Sequence, residues 1–459
     1  MRETTSSFFI YTFGCRLNQA ESADITRQFL DLGWIKAESF KKAKLVMVNS
    51  CTVTAKADSE VRRMLRRIKR ENPACFLVLI GCGVEMELAK LGKKYFSFNR
   101  ARKAAACQYM AGRDAVKEKK EIFSQISPAV DLIVSNKDKC KVKKWLPKDF
   151  KNFSLITNSY NPVIDKYHRS GKALIKIQEG CSNFCSYCIV PYVRGKPKSV
   201  PADEIVDKIQ KEVKEGINEA VLTGVDLGSY RFKIHDLRLK TKSNYKNHLV
   251  KLLDLLLRET KVEKISFGSM SLKVFDEEFF ELYSMMPGGG YKFFSGQLTR
   301  LRQAQAQTAN ARKKIIPSSR YIGVNLHPSS CFNPRLSTHF HIPLQSGSEA
   351  VLKRMRRPYT VKEAVGVLKK IKEKIPQASI STDIIVGFPG ETEVEFGESV
   401  DFIKQIQKLF GNKFTKIHIF RYSPRPGTLA DKMLKLGKWK RVSGEVKRKR
   451  AERIRGIQS

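Results

Sequence analysis

QEGCSNFCSYCIVPYVRGKP (178–197) carries three cysteines, Cys181, Cys185 and Cys188, inside eight residues. The stretch follows an apolar run, ALIKIQEG (173–180), that reads as a β-strand. From there the chain repeats a strand–helix rhythm. Further strand candidates are 219–225, 263–269, 338–344, 380–387 and 416–422. Amphipathic patterns such as PADEIVDKIQKEVKEG and TVKEAVGVLKKIKEKI separate most of them. Six βα units predict an incomplete (β/α)6 parallel barrel rather than a closed eightfold one. Chemistry in such barrels sits where strands end, and the cysteines stand directly after the first strand.

The rest of the chain fits a reducing compartment and a polyanionic partner. A length of 459 residues is ample for a core without disulfide staples. The ten cysteines fall far below the density of a disulfide scaffold. No signal peptide and no run of about 18 apolar residues is present, so the expectation is a cytoplasmic protein with no membrane span. Lys plus Arg is 86 against 45 Asp plus Glu, a net charge of +41. That balance favours nucleic acid as partner. Dense basic runs lie at 62–71 and 438–455.

Upstream, three β-rich runs each end in a cysteine: FFIYTFGC at Cys15, LVMVNSC at Cys51 and FLVLIGC at Cys82. Helical patterns follow the first two. The spacings of 36 and 31 residues each suit one βαβ unit. Parallel strands end on one edge of their sheet, the edge at which open α/β sheets bind ligands. Cys15, Cys51 and Cys82 can therefore converge, although a cysteine closing a strand is often only a small buried hydrophobe. The α/β fold class is thus an N-terminal parallel-sheet domain (1–150), a partial barrel (165–437) and a basic C-terminal helix (438–459).

Three thiolates on one loop, with no second CxxC and no nearby His, do not supply the four ligands of a structural zinc site. They suit a cubane [4Fe–4S] cluster with one iron left open for substrate or cofactor. The C-x3-C-x2-C spacing after a first barrel strand resembles the radical S-adenosylmethionine superfamily. That resemblance implies S-adenosyl-L-methionine bound at the open iron and cleaved to a deoxyadenosyl radical, with Tyr187 packing against the cofactor.

A wider set of motifs resembles the methylthiotransferase family: TFGCRLNQAES, NSCTVTAKADSEVRR, IGC, GCSNFCSYCIVPYVRG, HIPLQSGSEAVLKRMRR, TDIIVGFPGET and FRYSPRPGT. The resemblance implies a second [4Fe–4S] cluster on Cys15, Cys51 and Cys82, and replacement of C–H by C–SCH3. It also implies that Gly224, Asp226, Gln345, Ser346, Asp383, Gly387, Gly390, Arg421 and Tyr422 line the cofactor pocket. The implied partners are tRNA and an electron donor of the flavodoxin or ferredoxin type, with the enzyme a monomer. TFGCRLNQAES looks most like the branch acting on threonylcarbamoyl-adenosine. Isopentenyl-adenosine, a ribosomal-protein aspartate, or an inactive iron–sulfur RNA-binding protein are the alternatives.

The chain departs from that pattern in places. Residues 94–119 and 286–333 read as insertions, and 231–247 as a Lys-rich extension on the active face. The small RNA-binding β-barrel that usually ends the family is expected to be missing. Cys75, Cys107, Cys140 and Cys331 read as inert thiols. His339 and His341 read as a polar strand face rather than metal ligands.

Overall fold

A computed structural model describes residues 6–90, 130–147, 170–235, 244–284 and 332–458. The expected insertions at 94–119 and, nearly throughout, at 286–333 lie outside them, as do Cys107, Cys331 and the centre of the Lys-rich extension.

Five parallel strands build the N-terminal sheet: β1 (Ser7–Thr12), β2 (Ile35–Lys36), β3 (Leu45–Ser50), β4 (Phe76–Gly81) and β5 (Leu132–Ile133), in the order β2-β1-β3-β4-β5. β3 and β4 are apolar on both faces, which suits central strands covered on both sides. One face packs on Val61, Met64, Leu65 and Ile68 of the helix Ala55–Glu71. The other packs on Ile25 and Phe29 of the helix Arg16–Asp31. A third helix, Cys82–Lys90, starts at the cysteine itself, where no helical pattern had signalled one.

The barrel strands are β6 (Lys172–Lys176), β9 (Glu219–Thr223), β10 (Lys264–Phe267), β11 (His339–His341), β12 (Ser379–Val386) and β13 (Phe414–Arg421). They form two parallel three-stranded sheets, β6-β9-β10 and β11-β12-β13. Parallel bridges Ile265–Leu336 and Ser269–His341 join the two. Six parallel strands thus run in chain order, as an incomplete (β/α)6 barrel requires. Among the described residues no ladder closes β13 onto β6. A short antiparallel pair, β7 (Gln178–Glu179) and β8 (Lys198–Ser199), ties the base of the cysteine loop.

The basic terminal helix differs from expectation. It runs Gly444–Gln458 rather than from 438, and one face is structural. Ala451 and Ile454 pack on Ile384, Val386, Phe396 and Ile417 outside β12 and β13. Buried Arg450 pairs with Glu391 at 2.7 Å and Glu393 at 3.1 Å. No described helix is long and apolar enough to cross a membrane.

Candidate active site

The loop after β6 folds back on itself. Gly180 has φ +75°, and a Cβ there would lie 2.2 Å from the Lys196 carbonyl, so only glycine lets the chain enter the loop. The Cys181 N–H donates to the Gly195 carbonyl at 3.0 Å, and Cys188 N–H to Cys185 O at 2.9 Å. Ser186 anchors the far side, its hydroxyl donating to Arg354 O at 2.7 Å and its N–H to Met355 O at 2.9 Å. Two donors reach the sulfurs: Asn183 N–H to Cys181 Sγ and Arg357 Nη1 to Cys185 Sγ, both at 3.4 Å. Burial pushes the Cys188 thiol up to about 12, with neighbouring Cys185 and Cys181 acting in the same direction. A metal bound beside Cys188 would hold that buried sulfur as thiolate.

Cys15, Cys51 and Cys82 stand at the C-terminal edge of the first sheet, because the adjacent strands β1, β3 and β4 end there in register. Cys15 is exposed and caps the helix Arg16–Asp31; Cys51 and Cys82 are buried. Gly14 (φ +90°) makes the turn between strand and cap, and a Cβ on it would stand 2.6 Å from Cys51 Sγ. Asn18 Nδ2 holds the turn by donating to Phe13 O and Ser50 O, both at 2.9 Å. Burial pushes the Cys51 thiol up to about 12, with Cys15 and Cys82 acting in the same direction.

The edge of the first sheet meets the barrel mouth beside the cysteine loop. Cys82 and Met86 pack on Ile189 and Val193, which follow Cys188. Arg16 donates to Phe267 O at the end of β10, and Arg425, beyond β13, reaches Thr52 O at 3.0 Å and Asp58 at 2.6 Å. Arg194 is buried in the seam, donating to both Glu21 oxygens at 2.9 and 3.1 Å and to Asn18 Oδ1 at 2.6 Å. Burial alone would push Glu21 up, but Arg194, Lys139 and Lys176 outweigh it and hold the carboxyl well below its usual range.

Each group offers three sulfurs, with N–H donors of Asn183 and Arg357 on the first and of Asn136 on Cys82, a donor set that fits a cluster taking three protein ligands.

The remaining predicted residues divide. Asp226 accepts from Asn183 Nδ2 at 3.3 Å, tying the turn after β9 to the cysteine loop. Gln178 Oε1 accepts from the N–H groups of Val225 and Asp226, and Gly224 packs against its side chain. Tyr187 stacks edge-on against Phe388, beside Tyr422. Gln345 holds φ +71° and is tied to β12 through Asp383 O and Ile385 N. Ser346 is spent on Ser399, at 3.0 Å. Gly387 and Gly390 turn against Lys447 and Arg354, and Gly387 N–H donates to Glu391. Arg421 is exposed at the end of β13. Asp383 meets His341 at 3.1 Å, with His418 beside both. Sequence reasoning missed Arg357, Arg194, Glu21 and His418. No spacing signals them, since each acts through a partner distant in the chain.

Residues 7–99 match the family model described as uncharacterized protein family UPF0004. Residues 175–293 and 335–403 match that of the Radical SAM superfamily, and the break between them overlaps the segment read as an insertion. Threonylcarbamoyladenosine tRNA methylthiotransferase MtaB of Bacillus subtilis (strain 168) is 27% identical over 453 residues, 97% of this chain and 78% of its own length. The tRNA-2-methylthio-N(6)-dimethylallyladenosine synthase of Methylacidiphilum infernorum (isolate V4) is 30% identical over 460 residues, 99% of this chain and 80% of its own. Among solved structures, the radical S-adenosylmethionine methyltransferase TsrM from Kitasatospora setae overlaps 94% of this chain and 78% of its own, at 14% identity and TM-score 0.48.

Proposed function

The chain belongs to the radical S-adenosylmethionine methylthiotransferase family, and from that premise we propose that it converts C–H to C–SCH3 on N6-threonylcarbamoyl-adenosine beside the anticodon of tRNA. The observation that carries the reading is a pair of three-cysteine groups, one at the C-terminal edge of the first sheet and one on the loop after β6, with Cys82 packed on the residues that follow Cys188. Cys181, Cys185 and Cys188 would hold one [4Fe–4S] cluster, which would supply the electron for cleavage of S-adenosyl-L-methionine, and Cys15, Cys51 and Cys82 would hold a second, whose open iron would serve sulfur insertion.

The protein's own residues do the rest. Asn183 and Arg357 donate to the sulfurs of the first triad, which stabilises thiolate charge there. Asp226, tied to Asn183, offers a carboxylate beside the loop to a hydroxyl- or amine-bearing cofactor. Tyr187 supplies an apolar wall that excludes water from the loop. Glu21 and Arg194 hold the two halves in register, so that the acceptor meets both triads together. The net charge of +41 favours an RNA acceptor over a protein one.

The threonylcarbamoyl branch rests on TFGCRLNQAES, since relatives named for either nucleoside are about equally similar. The enzyme works as a cytoplasmic monomer and draws electrons from a flavodoxin- or ferredoxin-type donor. The test incubates reconstituted, reduced enzyme with one tRNA carrying threonylcarbamoyl-adenosine and another carrying isopentenyl-adenosine, followed by nucleoside mass spectrometry. Methylthio product on the first alone is expected. Product only on the second overturns the branch, and product on neither, with a ribosomal protein modified instead, overturns the RNA reading.

A further inference from the structure

We propose that His341, Asp383 and His418 bind one divalent transition-metal ion inside the barrel, separate from the cysteine triads. The ladder puts them together. His341 on β11 pairs with Ser381 on β12, and Asp383, two residues on, pairs with His418 on β13. Residues two apart on a strand share a face, so Ser381, Asp383, His341 and His418 all project to the same side. Alternate residues Ile384, Val386 and Ile417 pack on the outer helices, so that side is the barrel interior.

The ligand atoms are already gathered. One nitrogen from each imidazole and a carboxylate oxygen lie within 4.8 Å of one another, and His341 Nε2 stands 3.1 Å from Asp383 Oδ1. An ion with bonds of about 2.0–2.2 Å spaces its ligands about 3–4.4 Å apart, so small side-chain rotations close the set. His341 is also oriented as metal-bound imidazoles are: its Nδ1 meets Ser381 Oγ at 3.0 Å, which leaves Nε2 to face the carboxylate. The His341 and His418 rings meet edge to face with centroids 5.3 Å apart.

Two imidazoles and one carboxylate suit borderline divalent ions rather than Mg2+ or Ca2+. Three protein ligands leave coordination positions open toward the barrel interior, which distinguishes the site from a closed structural one. All three residues are partly buried rather than sealed, so the ion and an oxygen-bearing ligand can enter.

The test titrates Mn2+ into the full-length, cluster-reconstituted protein and follows loss of the free-ion electron paramagnetic resonance signal. Mn2+ is the probe because it avoids thiolates. The expected result is uptake of about one Mn2+ per chain at submillimolar concentration, displaced by Zn2+, which binds nitrogen ligands more tightly. His418→Ala should weaken uptake at least tenfold. Ser381→Ala, which leaves all three ligands in place, should weaken it about tenfold by freeing the imidazole. Iron content equal to wild type confirms that each variant is folded; if His418→Ala loses iron, His418→Gln and Ser381→Ala carry the test. No uptake by wild type, or uptake by the folded variants equal to wild type, overturns the site and leaves an ordinary His–Asp pair. None of these readouts depends on methylthiotransferase activity.

Discussion

Cys181, Cys185 and Cys188 can be tested by arithmetic. On the proposed reading two cubanes make about eight irons per chain, so replacing that triad with Ala should leave about four, by iron assay after anaerobic reconstitution, and abolish S-adenosylmethionine cleavage. A variant that still cleaves the cofactor would refute the assignment. Arg357 gives a finer test, because its guanidinium lies 3.4 Å from Cys185 Sγ. Positive charge and donors near cluster sulfurs make reduction easier. Arg357→Met should therefore move the midpoint potential of that cluster to more negative values in a redox titration, and Arg357→Lys should recover part of the shift. Equal potentials in all three proteins would mean that the contact is only structural.

Strand ends and the turns after them set the geometry of both triads. Each cysteine of the first sheet closes a strand and opens a helix or turn, and before Cys15 and Cys82 a glycine takes the conformation a side chain resists: Gly14 at φ +90° and Gly81 at φ +98°. Gly14→Ala adds backbone strain of about 1–3 kcal/mol and drives a methyl into Cys51. The expected outcome is selective: about four irons lost, with S-adenosylmethionine cleavage retained by the barrel triad. Loss of both clusters together would show that the sheet edge and the barrel fold as one unit. The terminal helix Gly444–Gln458 also belongs to this scale. Its charge pattern signals a solvated element, yet Ala451 and Ile454 are buried and Arg450 is paired within the barrel wall. Arg448, Lys449, Arg453 and Arg455 stay exposed, which leaves one basic face for a polyanion.

Across the whole molecule, polar contacts join the two halves. Arg27 bridges to Glu212 at 3.0 Å and Glu215 at 2.9 Å, Lys208 to Asp24, and Glu21 gathers Arg194, Lys139 and Lys176. Glu21→Gln strands three cations in the seam, and breaking such a buried set costs about 3–5 kcal/mol. A lower urea midpoint by circular dichroism at neutral pH checks it. The same group sets a pH dependence. Its folded pKa is depressed, so its stabilisation is present above the unfolded value near 4.5 and is lost as pH falls below that toward the folded value. Wild type should lose stability over that window more steeply than Glu21→Gln. On the proposed RNA reading, the +41 charge makes tRNA affinity fall steeply with salt. Contacts to six to ten phosphates imply a loss of about 10³–10⁵ between 50 and 200 mM, measured by filter binding. A flat salt response would exclude a phosphate-dominated interface.

The sequence alone was enough for the six barrel strands, the place of both cysteine triads at strand ends, and the family. The reason is local: a cluster on one loop must draw its ligands from a few consecutive residues, and each strand–helix switch changes the hydrophobic period from two to 3.6. What needed the tertiary structure is whatever depends on register between distant strands and on packing between the two halves. Glu21 and Arg194 are 173 residues apart in the chain. His341, Asp383 and His418 share a face only because β11, β12 and β13 pair as they do, and a slip of one residue would turn Asp383 away from both imidazoles. His341 therefore reads as part of a polar strand face, and the terminal helix as a basic one. No local pattern encodes the neighbour that captures either, because that neighbour is chosen by the fold.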